Sequence, residues 1–136
     1  MQPGIEQFEQ SARRVGALPL WQLKRVIEFI EANLPQSVRT GDLAAVVNLS
    51  TSHFSRLFRQ ATGESPLAYL RRRRIDRARE MMLVSDETLA GIALACGLAD
   101  QSHLTKLFRR LVGCTPAVWR RKQGLCQPRS SREARV

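Results

Sequence analysis

From about Leu20 onward the apolar residues recur at three- and four-residue spacing, and no stretch alternates as a strand would. The pattern predicts an all-α chain of seven helices. The first runs from about Leu20 to Leu34, with Leu23, Val26, Ile27, Ile30 and Leu34 on one stripe, and Pro35 stops it. Thr40 is placed to cap the second, which carries Leu43, Ala44 and Val47. Ser50 caps the third, turning Phe54, Leu57 and Phe58 inward. Ser65 and Pro66 form a cap and first-turn proline before a long fourth helix to about Leu83, whose inward stripe reads Leu67, Leu70, Arg74 or Ile75, Ala78 and Met82. Ser85 or Asp86 caps the fifth, from Thr88 to Cys96. Asp100 caps the sixth, with Leu104, Leu107 and Phe108 inward. Thr115 and Pro116 then open a short seventh holding Val118 and Trp119. Residues 1–18 are expected to form a flexible segment and residues 124–136 a disordered basic tail, because neither carries an apolar period.

The pattern also repeats. LAAVVNLSTSHFSRLFRQATGESPLAYL from Leu43 matches IALACGLADQSHLTKLFRRLVGCTPAVWR from Ile92. His53 pairs with His103, Phe58 with Phe108, Gly63 with Gly113, Pro66 with Pro116 and Tyr69 with Trp119, all fifty residues apart. Ahead of the turn the offset is forty-nine (Leu49 with Leu98), so one copy has a single extra turn residue. Each copy is a short helix, a turn at Asn48 or Gly97 (residues that tolerate positive φ), a leucine plug at Leu49 or Leu98, and a helix whose outer face stays polar. That is the pattern of a helix-turn-helix, whose second helix enters the major groove while the first braces it. The copies are expected at about residues 40–63 and 88–113, joined by a linker helix at about 66–83. Eighteen residues of helix span roughly 27 Å, which can hold two reading helices near one duplex turn apart, about 34 Å.

Charge changes the picture from fold to partner. Twenty-two Lys and Arg against twelve Asp and Glu give a net charge of +10 in 136 residues, which calls for a polyanion. No stretch is long and apolar enough for a membrane span. The start of the chain has Glu6 and Glu9 and no basic-then-apolar signal pattern, so a cytoplasmic, nucleoid-associated protein is expected. Cys96, Cys114 and Cys126 are far apart, and neither His53 nor His103 gives a zinc spacing, so reduced thiols and no metal or cofactor are expected.

The outward positions of the third and sixth helices are the base-reading candidates. These are Ser52, Ser55 and Arg56 in the first copy, and Gln101, Ser102, Thr105 and Lys106 in the second. Arg56 suits guanine, Gln101 suits adenine, and Lys106 suits guanine or a phosphate. Arg59, Arg109, Arg110, Arg120 and Arg121 are the phosphate candidates. Of the run Arg71–Arg74, one or two should turn inward to carboxylates, because successive helical residues point 100° apart. His53 and His103 read as capping or packing residues.

The stretches SHFSRLFRQATGESP from Ser52, RRRIDRAREMML from Arg72 and the second copy from Ile92 resemble the DNA-binding domain of the AraC/XylS family, over roughly Leu18 to Lys122. The resemblance implies two homeodomain-like helix-turn-helix subdomains on a linker helix, control of transcription at promoters, and base-reading positions on the residues just named. It departs at Gly97-Leu98, where the family commonly has an aromatic after the glycine. About eighteen residues precede the first helix, so the resemblance is to members without a sensory domain. The partner implied is double-stranded DNA, bound by a monomer at an asymmetric site, with RNA polymerase an open further partner and no membrane. An enzyme is disfavoured by the lack of a nucleophile–base set or phosphate loop. A basic module for proteins or anionic membranes, or a sequence-neutral chromatin or RNA binder, shares the charge but needs no paired readers.

Overall fold

A computed structural model describes residues 18–122. Among them are seven helices and no strand: α1 (Leu20–Ala32), α2 (Thr40–Val46), α3 (Thr51–Thr62), α4 (Pro66–Val84), α5 (Leu89–Ala95), α6 (Gln101–Val112) and α7 (Pro116–Arg121). The chain divides after Arg73 into two compact units. Most of the expected flexible N-terminal segment and all of the expected basic tail lie outside the described residues. Leu18, assigned above to that segment, is instead fully buried in the first core.

In the first unit α1 packs on α2 and α2 on α3. Leu23, Val26, Ile30, Leu43, Phe54, Phe58, Tyr69 and Leu70 close one core, and each such burial contributes roughly 1.5–3 kcal/mol. Phe58 sits between Phe54 at 5.5 Å and the edge of Tyr69 at 5.7 Å. α1 ends two residues earlier than its apolar stripe suggests. Asn33 donates its side-chain amide to the Phe29 carbonyl, ending the helix, and Leu34 is buried just beyond it. Arg39, not Thr40, caps α2, and its N–H is held by the Asp42 carboxylate at 2.9 Å. The turn follows the expected chemistry: Asn48 has φ 57°, and the Leu49 N–H closes on the Ala44 carbonyl at 3.0 Å. Ser50 then accepts from the His53 N–H to start α3.

In the second unit α5 packs on α6 and α6 on α7. Ile75, Ala78, Met82, Ile92, Cys96, Leu104, Phe108 and Trp119 form the core. The turn repeats: Gly97 has φ 81°, and the Leu98 N–H reaches the Ala93 carbonyl at 2.9 Å. Leu98 is buried in the second core at the place where the family commonly has an aromatic. Ala99 is the extra turn residue, and its N–H donates to His103 Nδ1 at 3.3 Å, while Asp100 caps α6 by accepting from the His103 N–H at 2.8 Å. The cap of α5 is Thr88 rather than Ser85 or Asp86. α4 runs on to Val84, and the Ser85 hydroxyl is used on that helix's end, donating to the Met81 carbonyl.

α4 also corrects the single inward stripe. Tyr69, Leu70 and Arg73 join the first core's burial and Ile75, Ala78 and Met82 the second's, whereas Leu67 is exposed. The buried arginine is Arg73, not Arg74. A helix serving two cores need not keep one continuous stripe.

Candidate nucleic-acid interface

α3 buries Phe54, Phe58 and Ala61, so its opposite side must face solvent. Ser52, Ser55, Arg56 and Arg59 follow one another at i, i+3, i+4 and i+7 along that side; Ser55 is half-buried and the others are exposed. α6 is built alike. Leu104, Leu107 and Phe108 are buried, and Ser102, Thr105, Lys106 and Arg109 form the matching outer row, with Gln101 exposed beside it in the first turn. Thr105 is half-buried. The structure therefore gathers each copy's reading candidates on one face, within its own unit.

Neither helix carries an Asp or Glu, while α3 has Arg56 and Arg59, and α6 has Lys106, Arg109 and Arg110. No hydrogen bond or ion pair among the described residues holds those five cationic heads. They present uncompensated positive charge at the surface, the condition a phosphate contact needs. The other arginines behave differently. Arg72 is paired with Glu64 at 2.7 Å and stacks over Tyr69, its carbon 5.1 Å from the ring centroid. Arg73 is 3% exposed and grips Glu31 with two nitrogens at 2.6 and 3.0 Å. The arginine run thus does turn two members onto carboxylates.

Arg120, unlike the other phosphate candidates, has partners within its own unit. Its two terminal nitrogens donate to the Glu87 and Ser85 carbonyls at 2.5 and 2.7 Å, holding the loop ahead of α5 onto α7. Arg121 is exposed on the same short helix. Sequence reasoning could not find this use of Arg120, because its acceptors are backbone carbonyls that any residue supplies. Of the two roles expected for His103, capping or packing, its ring takes a capping one beside the Asp100 cap, accepting the Ala99 N–H on Nδ1.

A cleft of about 340 Å³ opens beside α3 in the first unit, lined by Thr40, Ser55, Arg56, Arg59, Ser65 and Leu67 over Pro66. Thr40, Ser65 and Leu67 were not singled out from the sequence as contact residues. The apolar period places Leu67 on the inward stripe of α4, whereas its side chain is exposed.

Among the described residues no group of His, Cys, Asp and Glu could hold a metal, and no helix is long and apolar enough to cross a membrane. Burial pushes the Cys96 thiol up to about 11, so it stays protonated near neutral pH, and Cys114 is half-buried. Cys126 lies outside the described residues.

Residues 43–122 match the model of a helix-turn-helix domain family. The HTH-type transcriptional activator RhaS of Klebsiella pneumoniae is 34% identical over 82 residues, covering 60% of this chain and 30% of that protein. Regulatory protein PocR of Salmonella typhimurium is also 34% identical over 82 residues, 60% of this chain and 27% of its own length. The chain thus spans under a third of these relatives. Among solved structures, an AraC-type DNA-binding transcriptional regulator from Chromobacterium violaceum superimposes with a TM-score of 0.71 at 28% identity, covering 78% of this chain and 95% of that one. The DNA-binding domain of AdpA, a global transcriptional factor solved with a target DNA, gives 0.69 at 31% identity, covering 74% and 89%. With its duplicated turn, its two polar helix faces and a family match over more than half its length, the chain belongs to the AraC-type helix-turn-helix family of DNA-binding transcription regulators.

Proposed function

We propose that the protein reads double-stranded DNA sequence-specifically as a monomer, with α3 and α6 entering successive major-groove segments of an asymmetric promoter site. The observation that carries this reading is the contrast within the repeat. Caps, turns and core positions recur, while the outward faces differ: Ser52, Ser55 and Arg56 against Gln101, Ser102, Thr105 and Lys106. Two identical faces would favour a symmetric site; these favour a directional one. Arg56 and Lys106 are the strongest base donors, since one bidentate contact discriminates by about 1–3 kcal/mol. Arg59, Arg109, Arg110 and Arg121 hold phosphates and set register without reading sequence. Arg120 is left out of that set, its guanidinium being engaged on the Ser85 and Glu87 carbonyls. The names of the relatives support a role in transcription; such a role would be exercised on the nucleoid and beside RNA polymerase.

Competition binding tests the reading. A labelled promoter duplex should resist displacement by random duplex, and raising salt should weaken both complexes. Arg109→Ala should weaken binding to every sequence and lower the salt slope by about one. Random duplex that competes as well as the promoter fragment makes the protein a sequence-neutral binder instead.

A further inference from the structure

We propose that the cleft beside α3 seats one sugar–phosphate unit of the DNA backbone. The inference rests on the DNA-binding reading and adds Thr40, Ser65 and Leu67 to it. Three properties of the cleft select the occupant. Arg56 and Arg59 line it without a carboxylate among the lining residues, so the occupant is anionic. Thr40 and Ser65 bring hydroxyls; Ser65 Oγ accepts the Ala68 N–H at 3.2 Å, which leaves its own hydrogen to donate. Pro66, which has no N–H, and the 37% exposed Leu67 make the remaining wall apolar.

A cleft of about 340 Å³ is larger than a lone phosphate fills, and an apolar wall gives a phosphate nothing. A phosphate joined to a deoxyribose uses both: the anion meets Arg59 and the hydroxyls, and the C–H face of the sugar meets Leu67. Continuity favours the backbone over a detached anion, because Ser55 and Arg56 belong at once to the cleft and to the reading face.

The second unit lacks the same lining. At the positions equivalent to Thr40 and Leu67 it has Leu89 and Ala117, which removes a hydroxyl and most of the apolar wall. Leu89 packs against the second core instead.

The test scans the full-length chain against its selected duplex, with single neutral methylphosphonate linkages placed one at a time along each strand. One linkage over the first unit's half-site should weaken the wild type about tenfold, the scale of one charge-assisted hydrogen bond. Thr40→Val should lose a similar factor on natural DNA and lose little more on that modified duplex. Leu67→Glu, at an exposed position near a helix N-terminus where an acid is tolerated, should show the same non-additivity through repulsion. Inorganic phosphate should displace the duplex no better than chloride at equal ionic strength. Wild type that binds its selected duplex while no linkage couples to either variant overturns the cleft assignment and leaves the DNA reading standing. Displacement by phosphate alone assigns the cleft to a free anion and also overturns it. Failure to select any duplex removes both.

Discussion

The two units close their turns with the same hydrogen bond and then secure the surrounding helices by different chemistry. Leu49 and Leu98 each return an N–H to the carbonyl five residues back, and Asn48 and Gly97 each sit at positive φ. Tyr69 and Trp119 each take a guanidinium over the ring, Arg72 at 5.1 Å and Arg79 at 5.7 Å. Around that shared frame the locks diverge. The first unit ties α1 to α4 by pairing the buried Arg73 with the half-buried Glu31, whereas the second ties the loop before α5 to α7 with Arg120 on two carbonyls. The first satisfies the N–H of Arg39 with Asp42, three residues on. The second has Gly91 at that place, and Glu87 folds into the space a Cβ would take, accepting from the Thr88 N–H at 2.8 Å. One frame, kept by local geometry, therefore accepts different fastenings, and the outward faces are as free to differ as the locks.

Breaking the first unit's lock should have the largest effect. Glu31→Gln removes the carboxylate charge that faces the buried Arg73 guanidinium, and should cost about 2–3 kcal/mol by urea denaturation. That is below the range for a wholly buried pair, because the Glu31 side chain keeps 31% exposure. Hydrogen exchange should accelerate through residues 18–73 first. Replacing both partners, Glu31→Leu with Arg73→Met, should recover most of the loss; no recovery would mean the pair does more than fill and neutralise.

The second unit's lock is more exposed and smaller. Arg120→Met should cost about 1–2 kcal/mol and speed amide exchange over residues 85–91, with the salt slope of DNA binding unchanged. A slope that falls as it does for Arg109→Ala would return Arg120 to the phosphate contacts.

Smallest is an alkaline effect. The Cys96 thiol is raised by burial from an ordinary 9 to about 11, so between those values the unfolded chain releases a proton that the folded chain keeps. Stability from this group is complete below pH 9 and is lost as pH rises toward 11. Burial raises Tyr69 in the first unit in the same sense. Cys96→Ala should flatten part of the decline in a pH series of thermal melts, and should do so through the second unit.

What could be read from the sequence was what short-range geometry decides. Ser50, Asp100 and Thr115 are caps because each offers an oxygen to an N–H three residues on. Asn48, Gly97, Gly63 and Gly113 mark ends because they take positive φ. The outer faces of α3 and α6 followed from the buried stripes opposite them. What could not be read depends on partners distant in sequence. Which of four consecutive arginines is buried is decided by Glu31, 42 residues before Arg73. Arg120 looks like a surface cation until the Ser85 and Glu87 carbonyls are placed beside it. Leu67 looks like core until α4 is seen to change cores along its length. The cleft needed three segments brought together, and no single one of them announces it.

The most direct measurement is selection of bound sequences from a random duplex pool, run on the wild type, Arg56→Ala and Lys106→Ala. The account predicts a two-part motif with unlike halves, Arg56→Ala relaxing preference in one half and Lys106→Ala in the other, each by about 1–3 kcal/mol at the affected positions. A palindromic motif, no enriched motif, or equal loss in both halves from either substitution would contradict it.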